Sequence, residues 1–364
     1  MKDWKKYQNL TVVRLVQLIL FLYIFLVSIA LMGASMKMFG KGFAETLIAN
    51  TSNPMVGLFI GILATSLIQS SSSTTSIVVG MVGSGVMNVA NAIPIIMGAN
   101  IGTSVTNTLV SLAHVNRSEE FRRSFAASTV HDFFNFMAVL IIFPLQYFFN
   151  VLGFIADNLG SVFQNVGGLK FFNPLKEATK PAVKYILNLL GDHPAIALVI
   201  AMILLFFSLK MIVDALRILV VQKAERWFDK VLFKTAMRAF TVGLILTIFA
   251  QSSSITTSLI VPMAGAGVLT LVQIFPYTLG ANIGTTFTAM LASLATGNIS
   301  AVVVAFAHLT FNVIGILFVY PMKQAPLFLA KKIADIAVGN KLIPFAYIVI
   351  MFFIIPLIVV VLFR

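Results

Sequence analysis

One stretch of 45 residues occurs twice in this chain, and any fold has to place both copies. The first runs from Gln69 to Ala113, QSSSSTTSIVVGMVGSGVMNVANAIPIIMGANIGTSVTNTLVSLA. The second runs from Gln251 to Ala295, QSSSITTSLIVPMAGAGVLTLVQIFPYTLGANIGTTFTAMLASLA. They align without a gap at an offset of 182 positions, and 24 of the 45 pairs are identical. Identity is densest in polar words near the ends, Gln-Ser-Ser-Ser and Gly-Ala-Asn-Ile-Gly-Thr. Two membrane segments resemble each other through apolar composition alone. Polar words at matched positions indicate that a site was duplicated.

The rest of the chain is built for a bilayer. At 59% hydrophobic and 10% charged residues, with a mean hydropathy of +0.99, a soluble fold could not cover its apolar surface. Apolar runs near 15–32, 133–152, 195–209, 302–320 and 342–363 approach or meet the roughly 20 residues of a spanning helix. Alternating strand patterns are absent, which favours a helical bundle over a barrel. The net charge of +13 sits outside the apolar runs, at Lys2, Lys5 and Lys6 and within 210–238 and 323–341. Basic residues so placed hold loops in the cytoplasm and meet anionic lipid, so the bilayer and not nucleic acid is the expected partner. With no cysteine there is neither a disulfide framework nor a thiolate metal site. The Lys-rich start followed by apolar residues resembles a signal peptide, but the run is too long and lacks a small-residue cleavage site. It reads as a retained first helix with a cytoplasmic N-terminus in the cell (inner) membrane.

In chain order, a basic interfacial start (1–10) leads into a helix over about 12–32. A short interfacial helix is expected within 36–53, ended by Pro54. The run Gln69–Ser76 is too polar to face lipid. Apolar halves broken by Gly and polar clusters are the mark of re-entrant hairpins and broken helices. A charged loop is expected over 114–125 and a span over about 126–150, carrying His131, Asp132 and Asn135. Residues 154–194 are more polar, with Pro174, Pro181 and Pro194 as breakers. A helix over 195–213, an amphipathic basic linker over 214–238 and the second copy follow. The spacing of His131 and Asn135 recurs at His308 and Asn312, with Leu309 opposite Asp132. The basic stretches 1–14 and 210–238 both read as cytoplasmic, yet one full helix separates only the former from its copy. Inverted repeats follow. The expected organisation is an all-α integral membrane protein: a first repeat over 1–157, an inter-repeat loop over 158–194, a second repeat over 195–322, and an interfacial segment with a last helix over 323–364.

Gln69, Ser70, Ser71 and Ser72 and their counterparts Gln251, Ser252, Ser253 and Ser254 carry the first candidate chemistry. Hydroxyl and amide oxygens can replace the water around Na⁺, and the same groups donate to an anion. A hairpin bend or helix N-terminus adds free N–H groups and the helix dipole without a formal charge. The plainer reading is Ser and Thr joining membrane helices; two matched clusters of this density favour a ligand site. The segments containing Asn100 and Asn282 combine glycines, which permit close backbone approach, with Asn and Thr as ligands. Tight Gly/Ala packing is their plainer reading. His131 and Asp132 fit a structural hydrogen bond or a gate better than catalysis. No Gly-x-Ser-x-Gly elbow, His-Glu-x-x-His or P-loop is present. Arg117 lies within reach of an anion, although a marker of a cytoplasmic loop is its plainer reading.

At these residues the sequence resembles the type II sodium–phosphate cotransporter family. The doubled QSSS and GANIGT words and the stretch RSEEFRRSFAASTVHDFFN over 117–135 carry the likeness, which covers nearly all of 15–320. It implies two inverted repeats, a substrate site between two QSSS hairpins and Na⁺-driven uptake of inorganic phosphate, with no cofactor beyond Na⁺ as coupling ion. On that reading Gln69, Ser71, Ser72, Ser253 and Ser254 would meet phosphate, with Asn100 and Arg117 as further anion contacts. Gln251, Ser252, Ser253, Asn282, Thr285, Thr286 and Thr288 would meet sodium, joined by Gln69 and Ser70. Asn116 is a departure, because electrogenic members of the family carry Asp there, and the number of coupled sodium ions, and with it electrogenicity, is left open. The segment 154–194 is short, without cysteine or an Asn-x-Ser/Thr acceptor, as in a bacterial-type member. Two alternatives stand beside symport of phosphate. One is Na⁺-coupled transport of another tetrahedral oxyanion, since the same donors fit any of them. The other is an intramembrane serine hydrolase using His131, which predicts one intact and one degenerate Ser cluster; both are intact.

Overall fold

Small polar residues interrupt the apolar sequence at intervals, and several of them cap a helix. A computed structural model describes residues 11–216 and 233–363, which form helices and the turns between them. In order these are α1 (Thr11–Met38), α2 (Lys41–Asn50), α3 (Pro54–Ile68), α4 (Ser71–Ser84), α5 (Val89–Gly102) and α6 (Val105–Ser111). There follow α7 (Ser118–Phe149), α8 (Val151–Asn165), α9 (Gly168–Leu190), α10 (Pro194–Leu216), α11 (Ala236–Ala250) and α12 (Ser253–Gly265). The last four are α13 (Leu271–Thr296), α14 (Ile299–Val319), α15 (Gln324–Gly339) and α16 (Leu342–Phe363), the last with a π turn at Ile350–Ile354. Asn53 caps α3 with Pro54 at its first position, Asn88 caps α5, Asn298 caps α14, and Thr270 with Gln273 forms a capping box on α13.

Among the described residues, six segments are long and apolar enough to cross a bilayer: Val16–Met38, Val89–His114, Ser118–Phe149, Pro194–Ile212, Ile299–Val319 and Leu342–Phe363. The chain is a multi-pass membrane protein. Helices α3 and α4, of 15 and 14 residues, and α11 and α12, of 15 and 13, rise only about 20–23 Å each at 1.5 Å per residue. That falls short of the roughly 30 Å hydrocarbon core.

Contacts between the halves are reciprocal. Helix α1 packs on α10, which precedes the second copy as α1 precedes the first. Helix α4 packs on α13 and α14, while its counterpart α12 packs on α6 and α7. Helix α8 lies on α14, and α15 on α7. Element i touching j′ while j touches i′ is the contact pattern of a two-fold pair. Within each half one close crossing recurs. A Cβ at Gly61 would strike the Ile95 carbonyl and one at Gly98 the Leu58 carbonyl; Gly243 and Gly280 stand against the Tyr277 and Phe240 carbonyls in the same way. Only glycine lets these helix pairs, α3 with α5 and α11 with α13, approach so closely. The central core is aromatic and aliphatic, with Phe134, Ile142, Phe275 and Phe311 fully buried and Phe134 meeting Phe275 edge-on at 6.2 Å.

Three expectations change. The charged stretch begins α7 at Ser118 and is not a loop up to residue 125, because Glu119 and Glu120 favour a helix N-terminus. Residues 154–194 are mostly helical, and α9 runs through Pro181 because Val183, Ile186 and Leu187 bury an apolar face against the α1 side of the core. The broken helix occurs in one half only: α5 stops at Gly102 and restarts as α6, whereas α13 runs unbroken through Asn282 and Thr285. The basic start (1–10) and most of the basic linker (214–238) lie outside the described residues.

Candidate ion and anion site

Each Gln-Ser pair forms the tight turn of a helical hairpin. Gln69 and Gln251 end α3 and α11 in the left-handed conformation, at φ 57° and 51°. Ser70 and Ser252 then take extended conformations and accept from the N–H of Ser73 (3.2 Å) and Ile255 (3.3 Å), starting α4 and α12. Ser71, Ser72, Ser253 and Ser254 therefore lie in the first turns of two helices, where N–H groups and the dipole favour negative charge. All four are buried.

The two turns meet. The Ser72 hydroxyl donates to the Gln251 carbonyl at 3.0 Å, which joins the hairpin tips directly. Ser254 donates to the Thr103 carbonyl at 3.4 Å, at the break between α5 and α6. Gln251 is held from two sides: its Oε1 accepts from the Thr288 hydroxyl at 2.9 Å, and its Nε2 donates to the Ile248 carbonyl at 2.5 Å. Gln69 is exposed where Gln251 is buried. Thr285 and Thr286 bond back into α13, to Ala281 (3.1 Å) and Ile283 (2.7 Å).

Asn100 and Asn282 lie deep in the core, each facing the histidine of the opposite half. The His131 Nε2 donates to Asn282 Oδ1 at 2.6 Å, and the His308 Nε2 to Asn100 Oδ1 at 3.4 Å. Asn282 donates to Asn135 Oδ1 at 2.9 Å, and Asn135 donates to the Asn100 carbonyl at 2.9 Å. That last bond accounts for the break in α5. The Asn100 carbonyl is the i−4 partner of the Ser104 N–H, and once Asn135 takes it, Ser104 turns to Ile101 at 3.4 Å. A side chain entering the ladder is a standard cause of a kink.

Arg117 stands apart from this cluster. Its guanidinium is exposed and paired with Glu120 at 3.1 Å. Two further members lie outside the QSSS and GANIGT words. Asn107 Oδ1 accepts from Thr257 at 2.9 Å, and the Tyr277 hydroxyl donates to the Thr256 carbonyl at 2.9 Å. The signal for the first was present, since the pair Thr74-Thr75 recurs as Thr256-Thr257. Asp132 is wholly buried and accepts from the Tyr347 hydroxyl of α16 at 2.8 Å.

Around the tips the hydroxyls of Thr65, Ser66, Thr75, Ser76, Thr106 and Thr247 are buried without a hydrogen-bond partner. Buried polar atoms are nearly always paired, so a cluster of unpaired ones marks a place for a polar guest. Among the described residues no three His, Cys, Asp or Glu gather as a metal cluster. The oxygens of the hydroxyls, amides and carbonyls on offer are ligands for a hard monovalent cation, and the hydroxyl O–H and amide N–H groups are donors to an oxyanion.

The sequence matches the Na⁺/Pi-cotransporter family over residues 24–171 and again over 204–351. It is 33% identical over 443 aligned residues to the sodium-dependent phosphate transport protein 2B of Homo sapiens, covering 94% of this chain and 64% of that protein. It is 33% identical over 416 residues to protein 2A of Mus musculus (92% of this chain, 65% of that one). For protein 2A of Ovis aries the identity is 32% over 430 residues, with shares of 96% and 67%. The chain thus spans just under two thirds of the length of the human 2B relative. No solved structure matches. With one family matched in both halves and relatives aligned across more than nine-tenths of the sequence, the chain belongs to the Na⁺/Pi-cotransporter family.

Proposed function

We propose that the protein couples Na⁺ entry to uptake of inorganic phosphate across the cell (inner) membrane, by alternating access between two inverted repeats. The N-terminus lies in the cytoplasm, and the repeats occupy 1–157 and 195–322. The hairpins enter from opposite faces, and their tips bound the ion site. The observation that carries this reading is the meeting of the two QSSS turns through Ser72 and Gln251. Phosphate binds the first turns of α4 and α12, at Ser71, Ser72, Ser253 and Ser254, beside Gln69 and Asn100. Sodium binds the oxygens of Gln251, Ser252, Asn282, Thr285, Thr286 and Thr288, with Gln69 and Ser70 on the first side. Arg117, paired and exposed, acts at the approach to the site and not within it.

Physical chemistry supports the coupling. Neither 45-residue copy contains an Asp, Glu, Lys or Arg. An anion taken there from water loses hydration that no fixed charge repays. Sodium bound beside it supplies the compensation, so each ligand raises the affinity of the other, and the fully loaded site favours closure. The family and the names of the relatives support the same pair of substrates. Against the hydrolase alternative, Nε2 of both His131 and His308 faces an asparagine and not a serine hydroxyl.

The test is uptake of labelled phosphate into proteoliposomes under an inward Na⁺ gradient, with K⁺ as control. Accumulation that requires Na⁺ and resists competition by sulfate establishes the symport. Competition by sulfate at equal concentration moves the assignment to a broader oxyanion transporter. No uptake by folded protein under either gradient overturns it.

A further inference from the structure

The reciprocal contacts between the halves are not equally made. In one sense three bonds run in series: His131 to Asn282 at 2.6 Å, Asn282 to Asn135 at 2.9 Å, and Asn135 to the Asn100 carbonyl at 2.9 Å. The mirror series would be His308 to Asn100, Asn100 to Asn312, and Asn312 to the Asn282 carbonyl. Its first bond is stretched to 3.4 Å. Its other two are replaced, as Asn100 donates to Ile96 at 3.0 Å and Asn312 to His308 at 3.0 Å. Asn312 Oδ1, which would receive Asn100, is buried without a partner.

A second, independent asymmetry points the same way. Gln251 is buried on Thr288, while at the matched positions Gln69 is exposed and the Thr106 hydroxyl is buried without a partner. Each arrangement has all its residues in place twice and is made once.

We propose that Asn135 and Asn312 are alternately engaged positioning residues: each breaks the GANIGT helix of its own half by taking the asparagine carbonyl, and only one does so at a time. In the described state Asn135 is engaged, α5 is broken and α13 is continuous. In the opposite state Asn312 takes the Asn282 carbonyl, α13 breaks near Thr286, and α5 and α6 join into one helix. Gln69 then closes on Thr106 as Gln251 opens. The chemistry is equal at both ends, so the exchange needs no new residue, only a choice between two sets of partners. The two sets use different atoms of Asn100 and Asn282, and in the described state one set is made while Asn312 turns back to His308. The inference rests on alternating access between the two halves and names the residues that set it.

The chain contains no cysteine, so paired spin labels can be introduced without background. Leu67, beside the first hairpin turn, and Leu317 of α14 are both exposed and are not counterparts in the repeat, so exchanging the settings of the two halves changes their separation. Leu67→Cys with Leu317→Cys, labelled and measured by pulsed electron resonance in lipid nanodiscs, reports that separation. The expected result is two populations whose ratio changes with Na⁺ and phosphate. Asn312→Leu should reduce the population that needs Asn312 at least about fivefold, the loss of one buried hydrogen bond, and Asn135→Leu should reduce the other. Asn312→Gln, which keeps donor and acceptor, should restore the population that needs Asn312 in part. It serves as the reporting variant if Asn312→Leu does not reach the membrane. One unchanged population in every variant and ionic condition, in protein that transports, overturns the proposal and leaves symport standing. Two populations that respond to these substitutions in protein without Na⁺-dependent uptake support it and overturn the choice of substrates.

Discussion

Gln69 and Gln251 hold a left-handed backbone that costs a residue with a Cβ about 1–2 kcal/mol, and glycine would adopt it freely. Strain kept at a turn that glycine could make points to use of the side chain. Gln251 offers Oε1 to Thr288 and faces Ser72 through its carbonyl, so its amide stands where the two hairpins meet. Gln251→Gly separates the two roles. Relief of strain offsets the lost hydrogen bonds, so folding stability should stay within about 1 kcal/mol of wild type. The Na⁺ concentration for half-maximal uptake should rise at least about tenfold, one lost cation ligand being about 1.4 kcal/mol or more. Measuring both in the same reconstituted protein decides the matter, and an unchanged Na⁺ requirement removes Gln251 from the cation site. Ser253→Ala tests the neighbouring helix start: lower uptake in folded protein is expected, and unchanged Na⁺-dependent uptake counts against that residue.

The helix pairs α3 with α5 and α11 with α13 depend on glycine at the crossing. Gly98→Ala or Gly280→Ala places a methyl group against a backbone carbonyl that cannot rotate away. Overpacking a core commonly costs about 1–3 kcal/mol, and a backbone contact belongs at the upper end or beyond. Both variants should unfold at clearly lower temperature than wild type in a thermal shift assay, while Gly42→Ala, with open space around it, should match wild type. Much at this scale was legible. The polar words gave the hairpin turns because Ser and Asn compete for backbone groups wherever apolar sequence stops. The doubled offset matches the reciprocal helix contacts between the halves. The break in α5 was not legible, because identical GANIGT words take different forms according to which asparagine of another helix reaches the carbonyl. Nor was the course of α9, where an apolar face against α1 outweighs two prolines that local rules read as stops. Arg117 was expected to meet an anion, and its guanidinium is instead paired with Glu120, one helical turn away.

Two equal halves would make the two settings of the asparagine relay equal in energy, but the whole molecule is not two equal halves. Leu309 stands opposite Asp132 in the repeat, so the buried bond from Tyr347 to Asp132 has no counterpart. The same helix α16 closes onto the first hairpin, where Asn53 donates to the Phe363 carbonyl at 3.1 Å. Both contacts fall on the first half, the half whose GANIGT helix is broken. They therefore weight the described setting over its mirror image, and removing them should level the balance. Tyr347→Phe deletes one hydroxyl and keeps the ring against Phe125 and Phe352. It should move the ratio of the two label separations at least about fivefold toward the mirror setting, the effect of one buried bond. Asp132→Leu copies the residue at the matched position and should shift the ratio in the same direction. Once Asp132 is gone, adding Tyr347→Phe should change nothing further, because the two side chains act through one bond. Additive shifts in that double variant would instead show that the Tyr347 hydroxyl acts on the balance through a partner other than Asp132.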